Sequence, residues 1–177
     1  MKSDTRRLGK TARNPRSKIL SRAAARERAE QWRAAGCSVV FTNGCFDLLH
    51  AGHVEYLNRA RAEGGALIVG LNSDASVRAN KGPDRPLVPQ DQRALIVAAL
   101  ECVDAVVVFD EPEPAALIEE VGPDVLVKGA DWAHYVSGRE AVERRGGRVV
   151  LAPLVEGLST SALLCRIRGA APRGDKE

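Results

Sequence analysis

The sequence predicts an α/β fold: a Rossmann-like, doubly wound parallel sheet of about five strands with helices on both faces. Two patterns carry that expectation. Short β-branched runs alternate with stretches of helical character, the order that a parallel sheet with crossover helices demands. The runs are also near-continuously apolar rather than alternating, as strands buried on both faces are. A chain of 177 residues has room for one sizeable core and little for a second, so one main domain is expected.

Taken in order, residues 1–20 read as a flexible basic extension without apolar periodicity. Ser21 can cap a helix over 21–36, where Ala24, Ala25, Arg28, Ala29 and Trp32 form a partly apolar stripe that stops at Gly36. The main domain, 37–168, carries strand runs from Val39 to Thr42, Ala66 to Leu71, Val103 to Phe109, Asp124 to Val127 and Arg148 to Leu151. Helical patterns fill the gaps, from Gly52 to Glu63, Asp91 to Glu101, Pro114 to Val121 and Gly138 to Arg145. Residues 169–177 are expected to be a flexible tail. In open sheets of this kind, ligands sit beyond the carboxyl ends of the strands, where strand order reverses. The segments from Asn43 to Ala51, Asn72 to Asp74, Lys128 to His134 and Glu156 to Thr160 are therefore where chemistry is to be sought.

Composition narrows the function classes. Hydrophobic residues at 45% and charged residues at 28% are close to globular averages and favour neither disorder nor a membrane class. The longest apolar runs are far shorter than the roughly 20 residues that span a bilayer, and the basic N-terminus lacks an apolar signal region, so a cytoplasmic location is expected. Cys37, Cys45, Cys102 and Cys165 have neither zinc spacing nor the density of a secreted scaffold, and read as free thiols. The formal charge of +3 is uneven: residues 1–28 hold ten basic side chains against two acidic ones, and the remainder is net acidic. Such a basic lead could bind nucleic acid, but a solvated extension is the commoner explanation.

The strongest chemical signal is Thr42-Asn43-Gly44-Cys45-Phe46-Asp47-Leu48-Leu49-His50-Ala51-Gly52-His53, directly after the first strand and leading into a helix. His50 and His53 fall at a helix N-terminus, where free backbone N–H groups and the helix dipole already favour anions. Gly52 lets a phosphate approach the backbone without a Cβ in the way. Imidazoles donating to phosphate oxygens there would stabilise the extra negative charge of five-coordinate phosphorus. A zinc pair would want i, i+4 spacing or further Cys and Glu ligands nearby, so no metal site is assigned.

This His-x-Gly-His stretch, with Asn43 to Asp47 before it, resembles the signature of the cytidylyltransferase-like nucleotidyltransferases. More narrowly, the chain from about Val39 to Ile167 is similar to the adenylyltransferase half of the bifunctional bacterial enzymes that make ADP-heptose. The narrower likeness rests on Gly70-Leu71-Asn72-Ser73-Asp74, Lys81-Gly82-Pro83-Asp84-Arg85-Pro86, Asp124 to Trp132, and Gly157-Leu158-Ser159-Thr160-Ser161. The resemblance implies transfer of AMP from ATP, carried with Mg2+, to a sugar 1-phosphate, with His50, His53, Lys81 and Arg93 as the catalytic set. Lys81 and Arg93 are long cations suited to clamp phosphate or pyrophosphate. Thr42, Asn43, Gly44, Phe46 and Gly52 would line the ATP site, while Lys128, Gly129, Asp131 and Trp132 would serve the base and ribose. Ser159 and Thr160 would cap the last helix and offer donors to the ATP phosphates. Asp47, Asp74 and Lys81 would meet the second substrate.

Two positions depart from the family's pattern. Ser161 stands third in a motif that usually reads Ser-Thr-Thr, and Glu113 stands where related enzymes tend to have Thr before Pro114, in a stretch assigned to helix entry. No ribokinase-like half fits in 177 residues, so the resemblance implies a separate heptose kinase upstream, and it suggests a homodimer. Three rival readings remain: a cytidylyltransferase acting on glycerol 3-phosphate or a related polyol phosphate, a nucleic-acid-binding protein led by the basic tail, and an NAD-dependent enzyme. The last is weakened because G-x-G-x-x-G does not follow the first strand.

Overall fold

A computed structural model describes residues 14–132, 134–153 and 160–169. The strands β1 (Val39–Gly44), β2 (Ala66–Asn72), β3 (Ala105–Phe109), β4 (Val125–Gly129) and β5 (Arg148–Ala152) form one sheet in the order β3-β2-β1-β4-β5. Every neighbouring pair is parallel, with Val40 opposite Leu67 on one side and Val125 on the other. The near-continuous apolar runs are explained by burial on both faces, and β2 is buried at every position. The expected Rossmann-like class is what the structure shows.

Helices cover both faces. On one, α2 (Ala51–Ala62) and α4 (Gln90–Ala99) bring Leu57, Ala60, Ala94 and Val97 against Val40, Val69, Val106 and Val127. On the other, α1 (Arg22–Ala34), α5 (Ala115–Val121) and α6 (Arg139–Arg144) bring Ala25, Ala29, Ile118 and Val142 against Val39, Phe41, Ile68 and Leu126. Each fully buried Leu, Ile or Val contributes about 1.5–3 kcal/mol relative to exposure. Ser21 caps α1, its hydroxyl accepting from the Ala24 N–H at 3.2 Å as the sequence predicts. Two further helices, α3 (Asp74–Lys81) and α7 (Thr160–Gly169), flank the carboxyl edge of the sheet.

Two expectations are corrected here. The segment from Asn72 was expected to be a loop, yet α3 starts at once, with the Ser73 hydroxyl accepting from the Ser76 N–H at 3.2 Å. Of its eight residues only Ser76 and Val77 are buried, so no apolar stripe advertises it. The flexible lead was expected to run to residue 20, but residues 14–20 are docked. Pro15–Lys18 form a 3₁₀ turn capped by Asn14, and the Leu20 N–H donates to Val106 O at 2.9 Å along the free edge of β3. Lys18 Nζ donates to Leu100 O at 3.1 Å and Val103 O at 2.7 Å, in the turn between α4 and β3. A single apolar pair, Ile19 and Leu20, makes that contact, too short to register as periodicity. Residues 1–13 and 170–177 lie outside the described residues. No described helix is long and apolar enough to cross a membrane.

Candidate active site

The chain leaves β1 towards β2 and β3 and returns to build β4 and β5 on the other side, so the order reverses between β1 and β4. A cleft of about 720 Å³ opens beyond the carboxyl ends of those strands. Its floor is pinned by Tyr56 of α2, whose hydroxyl donates to Val127 O at 3.2 Å and shares a 2.7 Å hydrogen bond with Thr42 Oγ1. With the phenol proton given to Val127, Thr42 is the donor in the second bond. Burial pushes the Tyr56 pKa up to about 12. Thr42, expected to line the nucleotide site, is therefore completely buried under it as a tie between β1 and α2.

Asn43, Gly44, Phe46, His50, Gly52 and His53 all line the cleft. Phe46 is the only described non-glycine residue with positive φ, at 44°, a conformation that costs about 1–3 kcal/mol. The ring is held by the core and lies edge-on to the His53 imidazole, with centroids 5.4 Å apart. A Cβ on Gly44 would lie 3.0 Å from Phe46 Cε2, so glycine leaves the ring its place.

His50 is the N-cap of α2 and its N–H donates to His53 Nδ1 at 3.4 Å. That bond assigns the His53 proton to Nε2. The two rings stack with centroids 3.9 Å apart. Burial lowers both pKa values, His53 to about 4 with a further push from His50, so both are neutral donors near pH 7. His50 Nδ1 is buried at the start of α2, where the ring closes a capping box towards the His53 N–H.

Arg93 corrects the sequence reading. Expected as a phosphate clamp, it is completely buried and does not line the cleft. Its Nε donates to Val88 O at 2.8 Å, Nη1 to Cys45 O at 2.5 Å and Asn72 O at 2.9 Å, and Nη2 to Asp74 at 2.7 Å. Asp74, expected at the second substrate, is thereby engaged too and lies outside the cleft lining. Arg93 instead holds the loop after β1, the end of β2 and the segment before α4 in one place. The sequence did carry the signal: Arg93 and Val97 are four apart on α4 and share its buried face.

The cation that does reach the cleft beside Lys81 is Arg85, unselected by sequence although it sits inside the Lys81 to Pro86 motif. Its Nε donates to Asp47 at 2.6 Å, and the same carboxylate accepts from the N–H groups of Leu87 and Val88, at 2.9 Å each. Burial alone would raise the Asp47 pKa, but these N–H donors and Arg85 outweigh it and hold it below the usual carboxylate value. Asp47 touches the cleft yet spends its oxygens on the loop from Arg85 to Val88. Lys81, at the end of α3, is exposed on the cleft wall and makes no hydrogen bond or ion pair among the described residues.

Lys128 and Gly129 at the end of β4, and Asp131 and Trp132 in the 3₁₀ turn that follows, all line the cleft, as does Thr160, the first residue of α7. Lys128 Nζ donates to Asn43 Oδ1 and lies 5.9 Å from the centroid of the Trp132 ring. Burial lowers its pKa to about 8 against the opposing pull of Glu113 and Asp131. Trp132 is 49% exposed, an open aromatic face at the mouth. Ser159 lies outside the described residues. Sequence reading missed Tyr56, Arg85, Tyr135 and Ser137, and it assigned Glu113 to helix entry; the structure puts Glu113 on the cleft wall, accepting from the Tyr135 hydroxyl at 2.8 Å.

The sequence profile of the family described as Cytidylyltransferase-like matches residues 41–165, from inside β1 into α7. The chain belongs to this family. Among relatives, the bifunctional protein HldE of Citrifermentans bemidjiense is 55% identical over 150 residues, which cover 84% of this chain and 30% of that protein. The bifunctional protein HldE of Geobacter sulfurreducens is 57% identical over 136 residues, covering 76% of this chain and 28% of that protein. This chain thus spans under a third of the length of these curated relatives. The crystal structure of the lipopolysaccharide core biosynthesis protein from Thermoplasma volcanium superposes with a TM-score of 0.57 at 25% identity, covering 68% of this chain and 98% of that one.

For this Cytidylyltransferase-like chain the cleft offers neutral imidazole donors at a helix N-terminus, and cations on both sides of them from Lys81, Arg85 and Lys128. Among the described residues no group of three or more His, Cys, Asp and Glu is placed to hold a metal. Mg2+ held by the phosphates of a nucleotide needs no such protein cage, so this donor set fits a metal that enters with its nucleotide.

Proposed function

We propose that this chain is an adenylyltransferase that joins the AMP part of ATP to a sugar 1-phosphate, D-glycero-β-D-manno-heptose 1-phosphate, giving ADP-heptose and pyrophosphate. The observation that carries the reading is the pair of neutral, stacked imidazoles at the start of α2, with the His53 proton on Nε2. The motifs shared with the adenylyltransferase half of ADP-heptose enzymes support the choice of substrates. The high identity to HldE proteins and the likeness to a lipopolysaccharide core biosynthesis protein agree with it.

In this reading an oxygen of the sugar 1-phosphate attacks the α-phosphorus of ATP in line. One P–O bond forms, the bond to the β-phosphate oxygen breaks, and pyrophosphate leaves with the electron pair. No protein nucleophile is needed. Mg2+ brought with ATP supplies charge neutralisation on the phosphates. His50 and His53 donate to the non-bridging oxygens as their charge grows, which favours the transition state over the ground state. Lys81 and Arg85 attract the phosphates that arrive and leave. Trp132 and Lys128 face the base and ribose, and Thr160 with the start of α7 meets the phosphate tail. In this reading the protein works in the cytoplasm as a homodimer and receives a sugar that already carries its phosphate.

The experiment is pyrophosphate release by the purified protein with Mg2+, crossing ATP and CTP with heptose 1-phosphate and glycerol 3-phosphate. Release with ATP and heptose 1-phosphate alone is expected. Activity confined to CTP would keep the histidines but move the protein to polyol phosphates, and silence in all four pairs would overturn the reading.

A further inference from the structure

Beside Lys128, whose charge the Glu113 carboxylate favours, the cleft wall carries a polar group that phosphate chemistry does not use. Glu113, Tyr135 and Ser137 line it together, and no cation is among them. Tyr135 donates to Glu113 Oε2 at 2.8 Å, which leaves the other carboxylate oxygen without a partner among the described residues. Ser137 is only 7% exposed; its Oγ lies beside the Tyr135 hydroxyl but makes no hydrogen bond of normal geometry among the described residues. The buried hydroxyl is costly unless a ligand completes it, and the exposed carboxylate oxygen on the same wall is free to accept from that ligand.

The wall is held rigidly. Ser76 Oγ donates to Glu111 O at 2.8 Å and Asn80 Nδ2 to Pro112 O at 3.1 Å, so α3 fixes the turn that presents Glu113 between Pro112 and Pro114. On the facing segment Val136 is in the core while its neighbours Tyr135 and Ser137 line the cleft. Gly138 has φ of 86°, and a Cβ there would lie 2.6 Å from Ile118 Cδ1, so this segment rests directly on α5, the helix that Glu113 leads into. Both halves of the subsite are thus tied to the same helix, which is the preorganisation that selective hydrogen bonding needs.

We infer that Glu113, Tyr135 and Ser137 form a subsite for the free hydroxyl groups of the sugar phosphate, with Glu113 as the residue that sets specificity; this rests on the adenylyltransferase reading above. A carboxylate repels phosphate and accepts from hydroxyls, and a carboxylate beside a phenol and a serine offers the acceptors and donors that neighbouring hydroxyls need. Glu113 belongs to the turn after β3 and is braced by α3, on the side of the cleft away from α7 and β5. Asn80, which braces this turn, is followed by Lys81, the cation given to the arriving phosphate in the proposed reaction, and that neighbourhood favours the sugar over the nucleotide ribose.

The test is steady-state pyrophosphate release by Glu113→Gln, Ser137→Ala and the wild type, varying each substrate in turn, with thermal melts to show that all three fold. Glu113→Gln keeps the shape and removes the charged acceptor. Its KM for the sugar 1-phosphate is expected to rise roughly tenfold or more, with a smaller rise in Ser137→Ala and a KM for ATP within about twofold of the wild type. An unchanged KM for the sugar, or an equal rise for ATP, in a variant that melts normally overturns the subsite alone. If the wild type itself releases no pyrophosphate with any sugar 1-phosphate, the adenylyltransferase reading falls, and the subsite with it.

Discussion

The guanidinium of Arg93 meets the Asp74 carboxylate at 2.7 Å with its own side chain wholly enclosed, and its remaining donors go to the backbone of three separate segments. A buried cation so engaged is structural in effect: removing it strands a carboxylate and three carbonyls. Arg93→Met is expected to cost roughly 3–5 kcal/mol in urea unfolding, with activity lost along with the fold. A variant of wild-type stability that had lost only turnover would return Arg93 to the phosphates.

His53 is expected to act as a neutral donor. Replacement by Ala should lower kcat on the order of 10²-fold or more, with a much smaller change in the KM for ATP. Equal kcat in variant and wild type would remove His53 from the transition state.

The depressed His53 pKa also has a consequence for stability. Its folded value of about 4 lies below the ordinary 6.5, so the unfolded chain binds the proton first. The contribution is fully present above pH 6.5 and is lost as pH falls towards 4. In urea titrations the wild type should lose stability across that window more steeply than His53→Gln. Parallel curves would show that burial does not hold the ring neutral.

Lys128 titrates near 8 in the free protein, because burial disfavours its charge. If the ammonium is needed to receive the nucleotide, kcat/KM for ATP falls as pH rises through about 8, since that parameter reports the free enzyme. Lys128→Arg, charged at all accessible pH, should lose the falling limb even if its plateau is lower. A limb that stays in place in the arginine variant would trace it to another group.

Trp132 is half exposed and carries little of the core. Trp132→Ala is expected to leave stability within about 0.5 kcal/mol, as surface changes do. The loss of a stacking face should weaken nucleotide binding by roughly 1–3 kcal/mol, measured calorimetrically with a non-hydrolysable ATP analogue. Undiminished affinity would place the base elsewhere in the cleft.

The loop from Arg85 to Val88 is latched by Asp47, whose side chain is all but inaccessible. Asp47→Ala leaves Arg85 and two backbone N–H groups without their acceptor, and is expected to destabilise by about 3 kcal/mol. The cost should be read in urea melts. Near-wild-type melting together with a raised KM for the sugar phosphate would make Asp47 a substrate contact, as the family resemblance implies.

Much of the site is legible in the amino-acid sequence. His50, Gly52 and His53 follow the first strand in a contiguous stretch, and contiguity is what sequence displays directly. Lys81, Lys128, Asp131, Trp132 and Thr160 also face the cleft, because each sits where a secondary element ends or begins at the carboxyl edge of the sheet. Arg93 and Asp74 were misplaced for the opposite reason. A cation has the same identity in the sequence whether it is solvated or enclosed, and its partners here come from segments distant along the chain. Arg85 and Tyr56 went unselected because their partners, Asp47 and Val127, are likewise remote in sequence.

By itself, the sequence determined the alternation of strand and helix, the parallel two-faced sheet and the anion-binding turn at the head of α2, all properties of local pattern and hydrophobic period. Only the tertiary structure decided the strand order that opens the cleft, which of two arginines is enclosed and which reaches it, the proton position on His53 and the joining of Glu113 to Tyr135. Those depend on burial and on hydrogen bonds across long separations, which exist only once the core has closed.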